Sequence, residues 1–256
     1  PIYSRFTNPN TEMFEKRLAS LENAEASCAT STGMSAIMLT CLTFLKSGDR
    51  ILATPSLFGA TIQAFETVVK KFDIGIDYAR LTDSNDWKAK LQPSTRLIFL
   101  ESPSNPLNEI ADLKKIAELS SEAGIISVVD NCICTPALQN PLEFGIDLSL
   151  HSATKFIDGQ GRSLGGIIAG NKNLIGELKK TMRSCGFSLS PFNSWLLFKS
   201  LETLDVRMKQ HSKSAKKIAE WLSKDKRVKS VYYPGLTSHP QYKLAMSQQK
   251  SGGALV

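Results

Sequence analysis

The sequence predicts an α/β fold built on a mainly parallel seven-stranded sheet, followed by the start of a smaller C-terminal domain. Seven short apolar segments recur, at 27–30, 50–54, 74–79, 97–101, 125–130, 148–152 and 164–169. Amphipathic stretches at 34–45, 61–71 and 112–123 lie between several of them, with apolar residues at helical spacing. The strand segments are apolar on both faces, as in parallel sheets covered on both sides by crossover helices.

The elements follow in order. Residues 1–10 show no periodicity and read as an extended arm. A helix is expected from Thr11, with Thr11 as its N-cap and Glu12 and Glu15 in the first turn; Phe14, Leu18 and Leu21 lie at helical spacing. The large domain is expected over 11–205. Ser190-Pro191 opens a long helical stretch through Leu197, Leu201, Leu204 and Met208 to Leu222. Over 206–256 the expectation is a linking helix and the start of a truncated C-terminal domain. Val228, Val231 and Tyr232 read there as a strand, and Gly253-Ala254-Leu255-Val256 as the beginning of another. That last strand has no partner after it and the chain has no initiator methionine, so a fragment of a longer chain is expected.

Composition narrows the class. The 256 residues are 42% hydrophobic and 21% charged, enough apolar material for one large core. No apolar run approaches the roughly 18 residues needed to cross a bilayer, so no membrane partner is expected. The net charge of +7 is spread over many lysines without a basic stripe, which argues against nucleic acid. Five cysteines (28, 41, 132, 134, 185) form no CxxC pair and have no histidine close in sequence. Reduced, buried thiols in a cytoplasmic protein are expected, and no metal site.

Ligands of α/β sheets bind at the carboxyl ends of the strands. The sixth segment ends in Ser152-Ala153-Thr154-Lys155. The amine of Lys155 suits condensation with an aldehyde, and the Ser152 and Thr154 hydroxyls suit a phosphate on the same molecule. Gly159, Gly161, Gly165 and Gly166 beyond it suit a tight backbone around a bound group. Asp130 closes the fifth segment. A carboxylate ending a buried strand is costly unless paired, and a pyridinium nitrogen would hold it ionised and strengthen the ring as an electron sink. Ser31-Thr32-Gly33-Met34-Ser35 joins a strand to a helix, so the Gly33 and Met34 N–H groups make an anion site. Two prolines fix Glu101-Ser102-Pro103-Ser104-Asn105-Pro106, holding Asn105 toward a ring oxygen or a substrate carboxylate. Together these residues point to pyridoxal 5'-phosphate.

As a set, Tyr3-Ser4-Arg5, the 31–34 turn, the 101–106 loop, Val129-Asp130-Asn131, the 151–155 stretch and Ser190-Pro191-Phe192 resemble, in order and spacing, the Cys/Met-metabolism pyridoxal-phosphate enzymes. The resemblance covers essentially the whole chain. It implies the fold-type-I (aspartate-aminotransferase-like) architecture. It also implies Lys155 as the cofactor-bearing lysine and Asp130 at the ring nitrogen, both catalytic, with Gly33, Met34, Ser152 and Thr154 at the phosphate. Tyr3 and Arg5 would reach the phosphate of a neighbouring subunit, in a homotetramer whose active sites are shared across subunits. The family's arginine for the substrate carboxylate comes from the C-terminal domain and has no match here.

Within the family the likeness is to the homoserine sulfhydrylases, on Ser56-Leu57-Phe58-Gly59-Ala60-Thr61, Asp158-Gly159-Gln160-Gly161-Arg162 and Ser238-His239-Pro240-Gln241. Phe58 stands where most members carry a tyrosine stacked over the cofactor ring. It can stack but has no hydroxyl. Expelling a thiolate from a thioether benefits from a proton donor, whereas an activated ester needs less help. The resemblance therefore implies γ-replacement on O-succinylhomoserine or O-acetylhomoserine with sulfide, giving homocysteine. Cystathionine γ-synthesis and methionine γ-elimination are the other enzymatic readings; a catalytically silent assembly module is the non-enzymatic one.

Overall fold

A computed structural model of the chain describes residues 3–256 and gathers all seven expected strands into one sheet. The chain runs α1 (Pro9–Leu21), β1 (Ala26–Thr30), α2 (Gly33–Phe44), β2 (Arg50–Ala53), α3 (Gly59–Thr67), β3 (Gly75–Tyr78), α4 (Ser84–Lys90), β4 (Thr95–Glu101), α5 (Leu113–Ala123), β5 (Ile126–Asp130) and α6 (Thr135–Leu138). It continues with β6 (Leu148–Ser152), β7 (Gly166–Gly170), α7 (Lys172–Cys185), α8 (Pro191–Leu201), α9 (Leu204–Leu222) and α10 (Tyr242–Gln248). The strand order is β1-β7-β6-β5-β4-β2-β3. β7 runs antiparallel to both β1 and β6, and the remaining ladders are parallel.

Three expectations are corrected. Asn8, not Thr11, caps α1: its side chain accepts from the Asn10 N–H, and Pro9 takes the first helical position, where its fixed φ fits and its missing N–H costs nothing. The Thr11 hydroxyl instead meets Ser194 Oγ at 2.8 Å. The long stretch from Ser190 is two helices, broken at Glu202 and Thr203. Neither 228–232 nor 253–256 forms a strand. A strand needs a ladder, and their carbonyls find other donors: Asn108 Nδ2 donates to Tyr232 O and Leu255 O, and the Tyr233 hydroxyl to Gly253 O.

The sheet is covered on both faces, as its apolar strands require. One face packs on α2, α3 and α7 through Val128, Leu148, Leu150, Phe99 and Ile168. The other carries two apolar clusters. Ala29, Ile167 and Ala169 meet α1, α8 and α9, while Leu52, Ile98, Leu100 and Val129 meet α4 and α5. Fully burying each Leu, Ile or Phe contributes about 1.5–3 kcal/mol, so these layers fix where the strand ends lie. Between those two clusters runs a polar seam: buried Glu22 Oε1 accepts from Ser149 Oγ and Asn131 Nδ2 and meets His151 Nε2. Of the thiols, Cys28, Cys41 and Cys134 are buried as expected, Cys132 is half-buried and Cys185 is exposed. No described helix is long and apolar enough to cross a membrane.

Candidate active site

The carboxyl ends of β4, β5 and β6 and the N-terminus of α2 open onto one cavity of about 600 Å³. It collects eight of the ten expected residues: Gly33, Met34, Phe58, Asn105, Asp130, Ser152, Thr154 and Lys155. Glu101, Cys132, Phe156, Gly159 and His211 line it too.

Each position has a local cause. Thr32 caps α2, its hydroxyl accepting from the Ser35 N–H at 2.9 Å. Gly33 and Met34 are thus the first two helical residues, whose N–H groups have no intrahelical acceptor and point outward with the positive end of the dipole. Glycine is required at 33 because a Cβ there would lie 2.6 Å from Ser152 Cβ, so only glycine lets α2 start against the end of β6. The Thr154 hydroxyl also accepts from the Gly165 N–H at 3.2 Å, tying the lysine turn to the start of β7. Lys155 is exposed to the cavity and forms no ion pair among the described residues.

Two carboxylates end adjacent strands. Glu101 and Asp130 are register partners in the β4–β5 ladder. Asp130 Oδ1 accepts from the Cys132 N–H at 3.0 Å, and Glu101 Oε2 from the Phe58 N–H at 2.9 Å. Burial, and then the charge of Asp130, push the Glu101 carboxyl up. Burial likewise pushes Asp130 up, opposed by the Cys132 N–H and by the nearby His151. Neither carboxylate has a cationic partner in a salt bridge among the described residues. The same signal that singled out Asp130, an apolar run ending in a carboxylate, is present at Glu101. His211 had no comparable signal, since its approach depends on where α9 packs.

Tyr3 and Arg5 do not line this cavity. The Arg5 guanidinium lies over the rings of Tyr3 and Phe6, at 5.2 and 4.7 Å from their centroids, and donates to Arg183 O at the end of α7.

A deep strand-end carboxylate with no salt-bridge partner among the described residues, a cavity-facing amine and a helix N-terminus flanked by two hydroxyls match, respectively, a pyridine nitrogen, an aldehyde and a phosphate. The residues present therefore fit pyridoxal 5'-phosphate. Fold and cavity together have the organisation of a pyridoxal-phosphate-dependent enzyme. The chain belongs to the Cys/Met metabolism PLP-dependent enzyme family, which matches it over residues 1–256. It is 49% identical over 255 residues to the O-succinylhomoserine sulfhydrylase of Pseudomonas aeruginosa, covering 100% of this chain and 63% of that protein. To the L-methionine gamma-lyase of Pseudomonas putida it is 38% identical over 259 residues, covering 100% of this chain and 65% of that one. Among solved structures, cystathionine gamma synthase from Xanthomonas oryzae pv. oryzae, in complex with aminoacrylate and cysteine, superposes with a TM-score of 0.96. That match has 38% identity over 98% of this chain and 65% of the other. The chain thus spans less than two thirds of the length of these relatives.

Proposed function

We propose that the whole protein is a cytoplasmic γ-replacement enzyme of methionine biosynthesis, converting O-succinylhomoserine or O-acetylhomoserine and sulfide to homocysteine and the free acid. The observation that supports this best is the convergence of Lys155, Asp130 and the α2 N-terminus on one cavity, with Phe58 beside them. Gly33, Met34, Ser152 and Thr154 would hold the cofactor phosphate, Asp130 the ring nitrogen and Lys155 the aldehyde carbon; Phe58 would stack on the ring and Asn105 face its oxygen. Bound pyridoxal phosphate supplies an electron sink for carbanions at the substrate's Cα and Cβ. Lys155 Nζ, once free, moves protons at Cα and Cβ. Phe58 offers no proton to a departing group, which suits loss of a carboxylate from Cγ better than loss of a thiolate. Cysteine as the sulfur donor is the second reading, favoured by the likeness to a cystathionine gamma synthase.

The test is steady-state turnover of the full-length protein with each acyl-homoserine paired with sulfide or cysteine, and with methionine alone. The expected preference is acyl-homoserine with sulfide, lost in Lys155→Ala together with the cofactor's visible absorbance. A Lys155→Ala protein that still holds a borohydride-reducible cofactor link would overturn the lysine assignment. A full-length protein that binds no cofactor at all would be the silent assembly module.

A further inference from the structure

Beyond Lys155 the chain makes a tight turn that wraps one arginine of another element. Arg207, in the first turns of α9, donates from Nη1 to Phe156 O at 2.6 Å and from Nη2 to Ile157 O at 3.0 Å. The same guanidinium donates to Ser200 O at 3.0 Å and, from Nε, to Thr203 Oγ1 at 3.1 Å. Gly159 has φ +71, and a Cβ on it would overlap Nη1 of Arg207, so the glycine is required by both conformation and space. Its N–H closes the turn on Lys155 O at 2.8 Å. One helical turn further along α9, the His211 ring lies 5.8 Å from that of Phe156, and His211 lines the cavity. The far side of the turn is fixed separately: buried Asp158 accepts from the Arg162 N–H at 2.7 Å, and Arg162 reaches Ser200 Oγ at 2.8 Å.

We propose that Arg207, with Gly159 as its fitted counterpart, is a positioning residue that clamps the 155–159 turn to α9 and so aims Lys155 Nζ into the cavity. Two carbonyls immediately after the lysine are held by one charged, planar donor, which is stiffer than a water-solvated turn. The clamp comes from the helix that leaves the large domain, so the presentation of the lysine depends on the seating of α9. Residues without that seating would leave the amine in the cavity but free to swing. The inference rests on Lys155 being the cofactor-bearing lysine.

The test uses the full-length protein stripped of cofactor. The rate of borohydride-stable attachment of pyridoxal phosphate to the Lys155 peptide is followed by mass spectrometry, beside the thermal midpoint and the kcat and KM of the reloaded enzyme. Arg207→Ala and Arg207→Gln are expected to lose about ten- to hundredfold in attachment rate, because small misplacements of a reacting group cost that much. Arg207→Lys keeps a charge but not the fork, and should fall between. Added guanidinium should restore attachment in Arg207→Ala, whereas sodium at equal ionic strength should not. Gly159→Ala should show a similar loss, and the Gly159→Ala, Arg207→Ala pair a smaller loss than the product of the two. Attachment at the parent rate in Arg207→Gln overturns the proposal. So does a loss that tracks the thermal midpoint and ignores guanidinium. Attachment at a different lysine in the parent would instead refute the Lys155 assignment.

Discussion

At the scale of the residue, Asp130 and Glu101 set the electrostatics of the cavity. Asp130 has a backbone donor but no salt-bridge partner among the described residues, so its charge is available to a ligand. Asp130→Asn in the full-length protein is expected to retain cofactor and lose kcat by roughly 10²–10³-fold, the usual cost of removing one preorganised charge. Near-parental kcat would make Asp130 merely the acceptor of its own turn. The pair also predicts a pH dependence for the cofactor-free protein. Burial raises the folded carboxyls to about 6 for Asp130 and about 8 for Glu101, above the unfolded carboxylate range. The folded state then holds more protons than the unfolded one between those limits, so stability is full below the unfolded range and falls as pH rises through about 6 and then about 8. The thermal midpoint should decline over that window, and Glu101→Gln should flatten the upper part. A midpoint in the parent that rises through it relative to Glu101→Gln would refute the sign.

At the scale of the element, the α2 N-terminus works only because it reaches the end of β6. Gly33→Ala places a Cβ 2.6 Å from Ser152 Cβ, and neither the helix nor the strand can retreat without disturbing the sheet. The expected cost is about 1–3 kcal/mol of stability, as for other overpacked sites. A weaker cofactor affinity should accompany it, because the N–H groups of Gly33 and Met34 are carried away from Ser152. Calorimetric unfolding and cofactor titration measure the two effects separately. Unchanged affinity alongside lost stability would mean that the α2 N–H groups do not bind the phosphate. Most of this element geometry is legible in sequence: strand, small-residue turn and apolar helix stand in plain order between 26 and 44. Thr11 misled because a threonine before a helical run reads as a cap, whereas Asn8-Pro9 is the stronger pair.

At the scale of the whole molecule, the resemblance implies an active site shared between subunits, and we propose that the N-terminal arm is what crosses. Arg5 and Tyr3 stack on one another at the end of α7 and stay out of their own chain's cavity, leaving a partner's phosphate as the proposed target. Mixing full-length Lys155→Ala with full-length Arg5→Ala subunits should restore a fraction of parental activity, since some mixed dimers then hold one site with both native residues. If subunits exchange and activity stays at the level of the separate variants, Arg5 serves its own chain. The C-terminal segment is seated by side-chain amides that act as backbone: Gln241 bonds both the N–H and the carbonyl of Ile110, and Gln248 bonds Leu113 N and Ala111 O.

The sequence by itself determined the sheet, its seven strands and the residues at two of its strand ends, because burial on both faces and short-range turn chemistry leave local signatures. Lys155, Asp130 and Gly33 could be read for the same reason: each sits where an apolar run stops. Only the tertiary structure decided that Glu101 stands beside Asp130, that Arg207 and His211 close on the lysine turn, and that 228–232 is no strand. Those facts depend on which segments become neighbours, and pairing between segments distant along the chain is settled by packing of whole layers, which no local pattern records.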